Sequence, residues 1–388
     1  MKKKRNHTLK KWIGKLHLWL GLLSGIIVFL LAVTGCIFVF SAEINEQIRK
    51  DELYVIPEEN PLPVSELWQR AQDHIGPEMP ISWAYIYNSP EKSWVFYAYK
   101  TNPDAITYFG NLEYYKAIYI NPYTGEILDV YDEEYDFFNI IKFLHWSLLL
   151  KTEIGQPIVG WATFIFVIML ISGIILWWPV SRNAAKQRFS FKWKDSTSWK
   201  RKNYDLHNIL GFYVSSLALI LAITGMVWAF TWMKGLVYTA GALSTTPPEI
   251  EYKQSNPSAA KIAHPIDVAY HNAVQAYPES NGFRFTPASG ETGAINVYVQ
   301  EYEGVYYKSH ALQFDQYSGA LINIRDYKEK NFGERLIDAN YDIHVGAILG
   351  IPGKVMMFFA SLICGSLPLT GFLVWWKRKS KFKYLFRS

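Results

Sequence analysis

The chain has 388 residues, half of them hydrophobic, with 15 Trp and a net charge of +5 from 39 basic and 34 acidic residues. Its basic residues hug apolar stretches instead of forming one patch, which argues for anionic lipid headgroups and against nucleic acid. Cys36 and Cys364 both fall within apolar stretches, so no disulfide framework holds any exported part together.

In chain order, residues 1–15 hold seven basic residues and lead into an uncharged stretch, 16–42, longer than the roughly 20 apolar residues a bilayer core requires. It lacks a small-residue cleavage site after a short apolar run, so 1–42 is predicted to be a retained anchor. Leu16-His17-x-x-x-Gly21 opens this stretch and Thr34-Gly35 lies near its end. Residues 43–153 mix charges and contain alternating strand-like runs such as 93–98. They also contain a turn, Asn121-Pro122-Tyr123-Thr124-Gly125-Glu126, which Asn starts through its side chain and Gly ends with positive φ. His145 stands before the second apolar stretch, 154–181, which closes on Ser172-Gly173 and Trp177-Trp178.

A basic loop, 182–205, leads to Leu206-His207-x-x-x-Gly211, which opens the third stretch, 206–233. Counted from its histidine, Thr224-Gly225 falls at the same offset as Thr34-Gly35 does from His17. Residues 234–344 repeat the strand-like pattern at 294–300 and place a second turn at Asp315-Gln-Tyr-Ser318-Gly319. His344 follows, and 345–388 carries the fourth stretch, 355–376, ending in Thr370-Gly371 and Trp375-Trp376, and a basic tail. The chain is thus an internal repeat, with each half reading His, helix, outer domain, His, helix. The histidine-to-glycine spacing of the second and fourth stretches differs by one residue between halves.

Segments 1–15, 182–205 and 377–388 hold 21 basic residues and two acidic ones, whereas 43–153 and 234–344 together hold 17 basic and 32 acidic. Lys and Arg stay on the cytoplasmic side, so both termini are predicted inside and two small α+β modules outside. The expected fold is an α-helical membrane protein with four spans in two pseudo-repeats, each with an extracytoplasmic α+β domain between its helices.

Four of the nine histidines occupy repeat-related positions at membrane helix ends, where a titratable ring calls for a function. Imidazole is an axial ligand for haem iron, and a haem held between two helices takes one ring from each. His17 and His145 lie at opposite ends of the membrane. The pairs are therefore His17 with His207 at the inner level and His145 with His344 at the outer level, giving two bis-His b-type haems. No C-x-x-C-H run exists for covalent attachment. Gly21 and Gly211 let a flat macrocycle approach the backbone. Lys10, Lys11, Lys15, Arg201 and Lys202 are placed to neutralise inner propionates, and Lys142, Lys330 and Arg335 outer ones. The tryptophan pairs, with Trp228 and Trp232, are read as interface anchors, and the Thr-Gly pairs as helix packing sites. His7, His74, His264, His271 and His310 are read as surface residues, and the acidic run Asp129, Asp132, Glu133, Glu134 and Asp136 as a solvated loop.

Leu16-His17 with Thr34-Gly35, Leu206-His207 with Thr224-Gly225, Thr370-Gly371 with Trp375-Trp376, and the Asn121-Pro122-x-Thr124-Gly125-Glu126 turn together resemble the PepSY-associated transmembrane proteins over nearly the whole chain. The second turn departs from the Asn-Pro-x-Thr-Gly pattern. The resemblance implies a di-haem reductase of the bacterial inner membrane that releases iron from siderophores, with His17, His207, His145 and His344 as ligands. The chain has no G-x-G-x-x-G and its inner loop is too short for a nucleotide domain, so a quinol or a separate reductase is the expected electron donor. The alternative is a haem-free membrane sensor or assembly factor that binds peptide or protein through its outer domains. A transporter fits less well, because the helices lack buried carboxylates and a broken-helix pattern.

Overall fold

The computed structural model describes residues 2–179 and 181–384. Val180, the side chains of 1–7, which include His7, those of Asn183, Ala184 and Gln187, and those of the basic tail 377–388 lie outside the described residues. The chain divides into two units, one from Met1–Val39, Ile141–Lys234 and Ile343–Ser388, the other from Phe40–Ile140 and Gly235–Asp342.

Among the described residues, four helices of the first unit are long and apolar enough to cross a membrane: Thr8–Phe38, Thr152–Trp177, Trp199–Ala229 and Ala347–Trp376. They overlie the four uncharged stretches of the sequence. Each is apolar on its outer surface as well as its inner one, which suits a lipid surround in which the backbone must satisfy itself. On the first helix Leu23 and Ile26 are 71% and 75% exposed, while Ser24, Val28 and Ala32 are buried at helical spacing. Midway along the unit, Ala32, Leu170, Val214, Ala218, Ala360 and Cys364 form the core, and their mostly small side chains let the helices approach closely.

Regular helix is interrupted beside three of the four histidines. Leu206–Leu210, which carries His207, is a π turn, a form that concentrates at functional sites. His145 ends the short helix Phe137–Ser147, and His344 lies in the short helix Asn340–Val345. After each, the chain reverses through left-handed residues, Leu148 and Leu149 (φ 57° each) in one half and Gly346 (φ 82°) in the other. A Cβ on Gly155 would lie 1.8 Å from the Ser147 carbonyl oxygen, and one on Gly353 2.1 Å from that of Gly346. Ser147 and Gly346 each stand two residues after their histidine, so these contacts are equivalent. The one-residue difference between the halves is therefore absorbed in the turn, with the spacing from Gly155 to Gly173 matching that from Gly353 to Gly371.

The second unit joins what the sequence presents as two modules. Its strands are β1 Ile81–Tyr87, β2 Trp94–Thr101, β3 Leu112–Ile120, β4 Ile127–Asp132, β5 Gly282–Thr286, β6 Ala294–Tyr302, β7 Val305–Asp315 and β8 Leu321–Arg325. They form a single antiparallel sheet in the order β4-β3-β2-β1-β5-β6-β7-β8. Each half contributes one helix, Val64–Ile75 or Pro265–Ala276, and a four-stranded meander, and the meanders meet at β1 and β5 with Ala84 opposite Phe285. That pairing removes two sheet edges that separate domains would each have left open. One core backs the joined sheet. Leu67, Ile86, Phe96, Ile118, Phe283, Phe285 and Phe314 have no exposed surface, and burial of each stabilises the fold by about 1.5–3 kcal/mol.

Both predicted turns close in the same way. Asn121 Oδ1 accepts the Tyr123 N–H at 2.9 Å, and Asp315 Oδ1 accepts those of Tyr317 and Ser318 at 2.9 Å each. Gly125 and Gly319 then take φ of 73° and 68°. The second turn differs in sequence and matches in geometry, because Asp supplies the same acceptor as Asn.

Candidate functional site

The four repeat-related histidines meet as two couples in the first unit. The rings of His17 and His207 have centroids 6.5 Å apart with planes at 88°, and those of His145 and His344 are 6.1 Å apart at 70°. With a metal–imidazole bond of about 2 Å and the ring nitrogen about 1.1 Å from its centre, two rings on opposite sides of one ion have centroids about 6.2 Å apart. Both couples have that spacing. Among the described residues no third His, Cys, Asp or Glu joins either couple in a group placed to hold a metal ion.

Every ring is docked in the same manner. His17 Nδ1 lies 2.8 Å from Ser172 Oγ, His145 Nδ1 2.9 Å from Thr34 Oγ1, His207 Nδ1 3.0 Å from Thr370 Oγ1, and His344 Nδ1 2.7 Å from Thr224 Oγ1. The glycine after each hydroxyl residue faces the same ring. A Cβ there would stand 3.3 Å (Gly173), 3.5 Å (Gly35), 3.1 Å (Gly371) and 3.7 Å (Gly225) from the ring's Cε1. The motif at every dock is thus a hydroxyl residue followed by glycine, the first to bond the ring and the second to admit it. The first and third membrane helices give histidines to one couple and docks to the other, and the second and fourth give the docks that complete the set. With Nδ1 occupied, Nε2 is the nitrogen left for a ligand.

The Thr-Gly pairs, expected from the sequence to be helix packing sites, are histidine docks. Trp228, read as an interface anchor, packs edge-on against His344 at 5.3 Å and beside Trp146 at 5.8 Å. Trp177 is buried with Arg188 over its ring, whereas Trp178 and Trp376 are exposed as anchors should be. Gly21 faces the flexible end of Met169, and Gly211 faces Leu367. His310 is buried in the second unit, donating from Nε2 to Glu301 at 2.8 Å and accepting the Tyr327 N–H at Nδ1, while His74, His264 and His271 are exposed as expected.

Of the cations expected near propionates, Arg201 is held by Asp205 at 2.9 Å, and Lys15 and Lys202 lie over Trp12 and Trp193. Lys142 lies over Phe143, and Lys10 and Lys11 are at the start of the first membrane helix. Lys330 is bound to Asp338 at 2.8 Å and Arg335 to the Lys328 carbonyl, both within the second unit. The acidic run is not a free loop: Glu133 and Asp136 hold the buried Arg49, and Asp132 pairs with Lys116 at 2.6 Å.

A family model described as the PepSY-associated TM region matches residues 15–378, which include all four histidines and all four docks. No curated protein matches the chain.

Proposed function

The chain belongs to the PepSY-associated TM region family, and from that premise we propose that it is a transmembrane oxidoreductase that passes electrons through two bis-His b-type haems to a ferric chelate, such as a ferric siderophore, on the extracytoplasmic side of a bacterial inner membrane. The observation that carries this reading is the meeting of four histidines, distant in sequence, as two ring pairs at 6.5 and 6.1 Å. The residues fit the group: each pair presents two Nε2 atoms, and the flexible Met169 end over Gly21 can yield to a flat ring system. A haem with both axial positions filled supplies one-electron transfer and offers no open position to oxygen or substrate. His17 and His207 would hold one haem, and His145 and His344 the other.

The two levels are set by the helices themselves. Thr34 docks His145 and lies seventeen residues along the same helix from His17, about 25 Å of rise. Carriers held by residues at those two positions would span most of a hydrocarbon core of about 30 Å. The chain lacks a nucleotide-binding motif, so a quinol or a separate reductase supplies the electrons. Siderophores hold Fe²⁺ far more weakly than Fe³⁺, so reduction releases the metal.

The visible spectrum of the full chain, purified in detergent from haem-replete cells, tests the reading. Low-spin b-type bands that sharpen with dithionite are expected, with two haems per chain. His17→Ala and His207→Ala should each lose the same haem, and His145→Ala and His344→Ala the other. A colourless protein would remove the reading, as would single variants that all keep both haems. Given haem, oxidation of the reduced protein by a panel of ferric siderophores then identifies the acceptor.

A further inference from the structure

The four hydroxyls that dock the rings have chemistry of their own. A hydroxyl carries one hydrogen, and in each dock it is already donated to the helix backbone. Thr34 gives it to the Leu30 carbonyl at 2.7 Å, Thr224 to Ile220 at 2.7 Å, Thr370 to Ser366 at 2.8 Å and Ser172 to Met169 at 3.1 Å. Each oxygen is therefore left as an acceptor, and the imidazole Nδ1 beside it must carry the proton.

We infer that Thr34, Ser172, Thr224 and Thr370 are positioning residues that lock their histidines as the Nδ1–H tautomer, aim each Nε2 lone pair at the facing ring, and set the angle between the two ring planes. This deepens the haem reading and rests on it. An acceptor on Nδ1–H also makes the imidazole a stronger donor through Nε2, which favours ferric over ferrous iron. One dock differs from the rest: Ser172 lacks the methyl group that stiffens χ1 in threonine, and it bonds the carbonyl three residues before it, whereas each threonine also bonds the one four before.

The test uses the full chain in detergent, titrated with haem b, with Thr34→Val, Thr370→Val and Ser172→Ala set against Thr34→Ser, Thr370→Ser and Ser172→Thr. Haem retention, midpoint potential and the EPR anisotropy of the ferric state, which tracks the angle between ring planes, are read for each haem. In the variants without a hydroxyl, the affected haem should dissociate about 10- to 100-fold more readily, with a raised potential and an altered anisotropy. The serine variants should stay near wild type, and Ser172→Thr should hold its haem more tightly. If wild type binds two haems and the hydroxyl-free variants match it in all three readouts, the positioning role is overturned and the haem reading stands. If the serine variants fail as badly as the valine ones, the methyl packing and not the hydroxyl is responsible, and the role is equally overturned. If wild type binds no haem, both readings fall together.

Discussion

Each of the four paired histidines depends on a hydroxyl-glycine pair more than a hundred positions away in sequence, and the spacing between glycine and ring differs from dock to dock by tenths of an ångström. The tightest dock is at Gly371, where an added methyl would stand 3.1 Å from His207 Cε1. Gly371→Ala should therefore displace that ring and lower occupancy of the His17–His207 haem while sparing the other, as seen in the reduced-minus-oxidised spectrum. At Gly225 the corresponding distance is 3.7 Å, an ordinary contact, so Gly225→Ala should be much milder. In the second unit the informative single residue is Asp315. Its burial alone would raise the carboxyl, but the N–H groups of Asn256, Ser318 and Tyr317 and the Ser318 hydroxyl outweigh this and hold it below the ordinary carboxylate value. A carboxyl depressed on folding gives stability that is present above its unfolded value near 3.8 and is lost as pH falls through the lower folded one. Asp315→Asn keeps the turn acceptor that Asn121 uses in the other half and removes the titration. Acid unfolding of the variant should consequently show a shallower loss of stability below pH ~4 than wild type.

Among the elements, the helix ends are where the two halves differ. The His145 and His344 helices connect to their membrane helices through turns that use two left-handed leucines in one case and a left-handed glycine in the other. Left-handed backbone at a residue other than glycine costs about 1–3 kcal/mol, and it occurs here three residues from a candidate ligand. Gly155 makes the first turn possible, since any side chain there would meet the Ser147 carbonyl at 1.8 Å. Gly155→Ala is expected to shift the turn and cost the His145–His344 haem, halving the haem per chain, with the His17–His207 haem unchanged. Pyridine haemochrome analysis against total protein would measure this, and full occupancy of both haems would contradict it. The equivalent change at Gly353, against the Gly346 carbonyl, should act in the same way from the other half.

For the whole molecule, the distribution of charge makes the firmest prediction. Lys and Arg crowd the segments 1–15, 182–205 and 377–388, so reporter fusions at either terminus and within 182–205 should report the cytoplasm. Fusions or accessible-cysteine labels in 43–136 and 245–330 should report the opposite side, and an inverted pattern would also invert the proposed direction of electron flow. The sequence by itself determined the four spans, the internal repeat and the pairing of histidines. Hydropathy, charge asymmetry and helix rise are properties of contiguous chain, and a span has only two ends at which a ring can lie. It also marked the hydroxyl-glycine pairs as repeat features without revealing their task. Only the tertiary structure decided that Thr34 serves His145 and Thr370 serves His207, because a hydrogen bond across 111 or 163 residues leaves no local pattern. Tertiary structure likewise decided that the two segments between the membrane helices of each half form one sheet. The β1–β5 pairing depends on two strand edges finding each other, and the alternation of apolar residues along a strand specifies which face is buried but not which neighbour lies alongside.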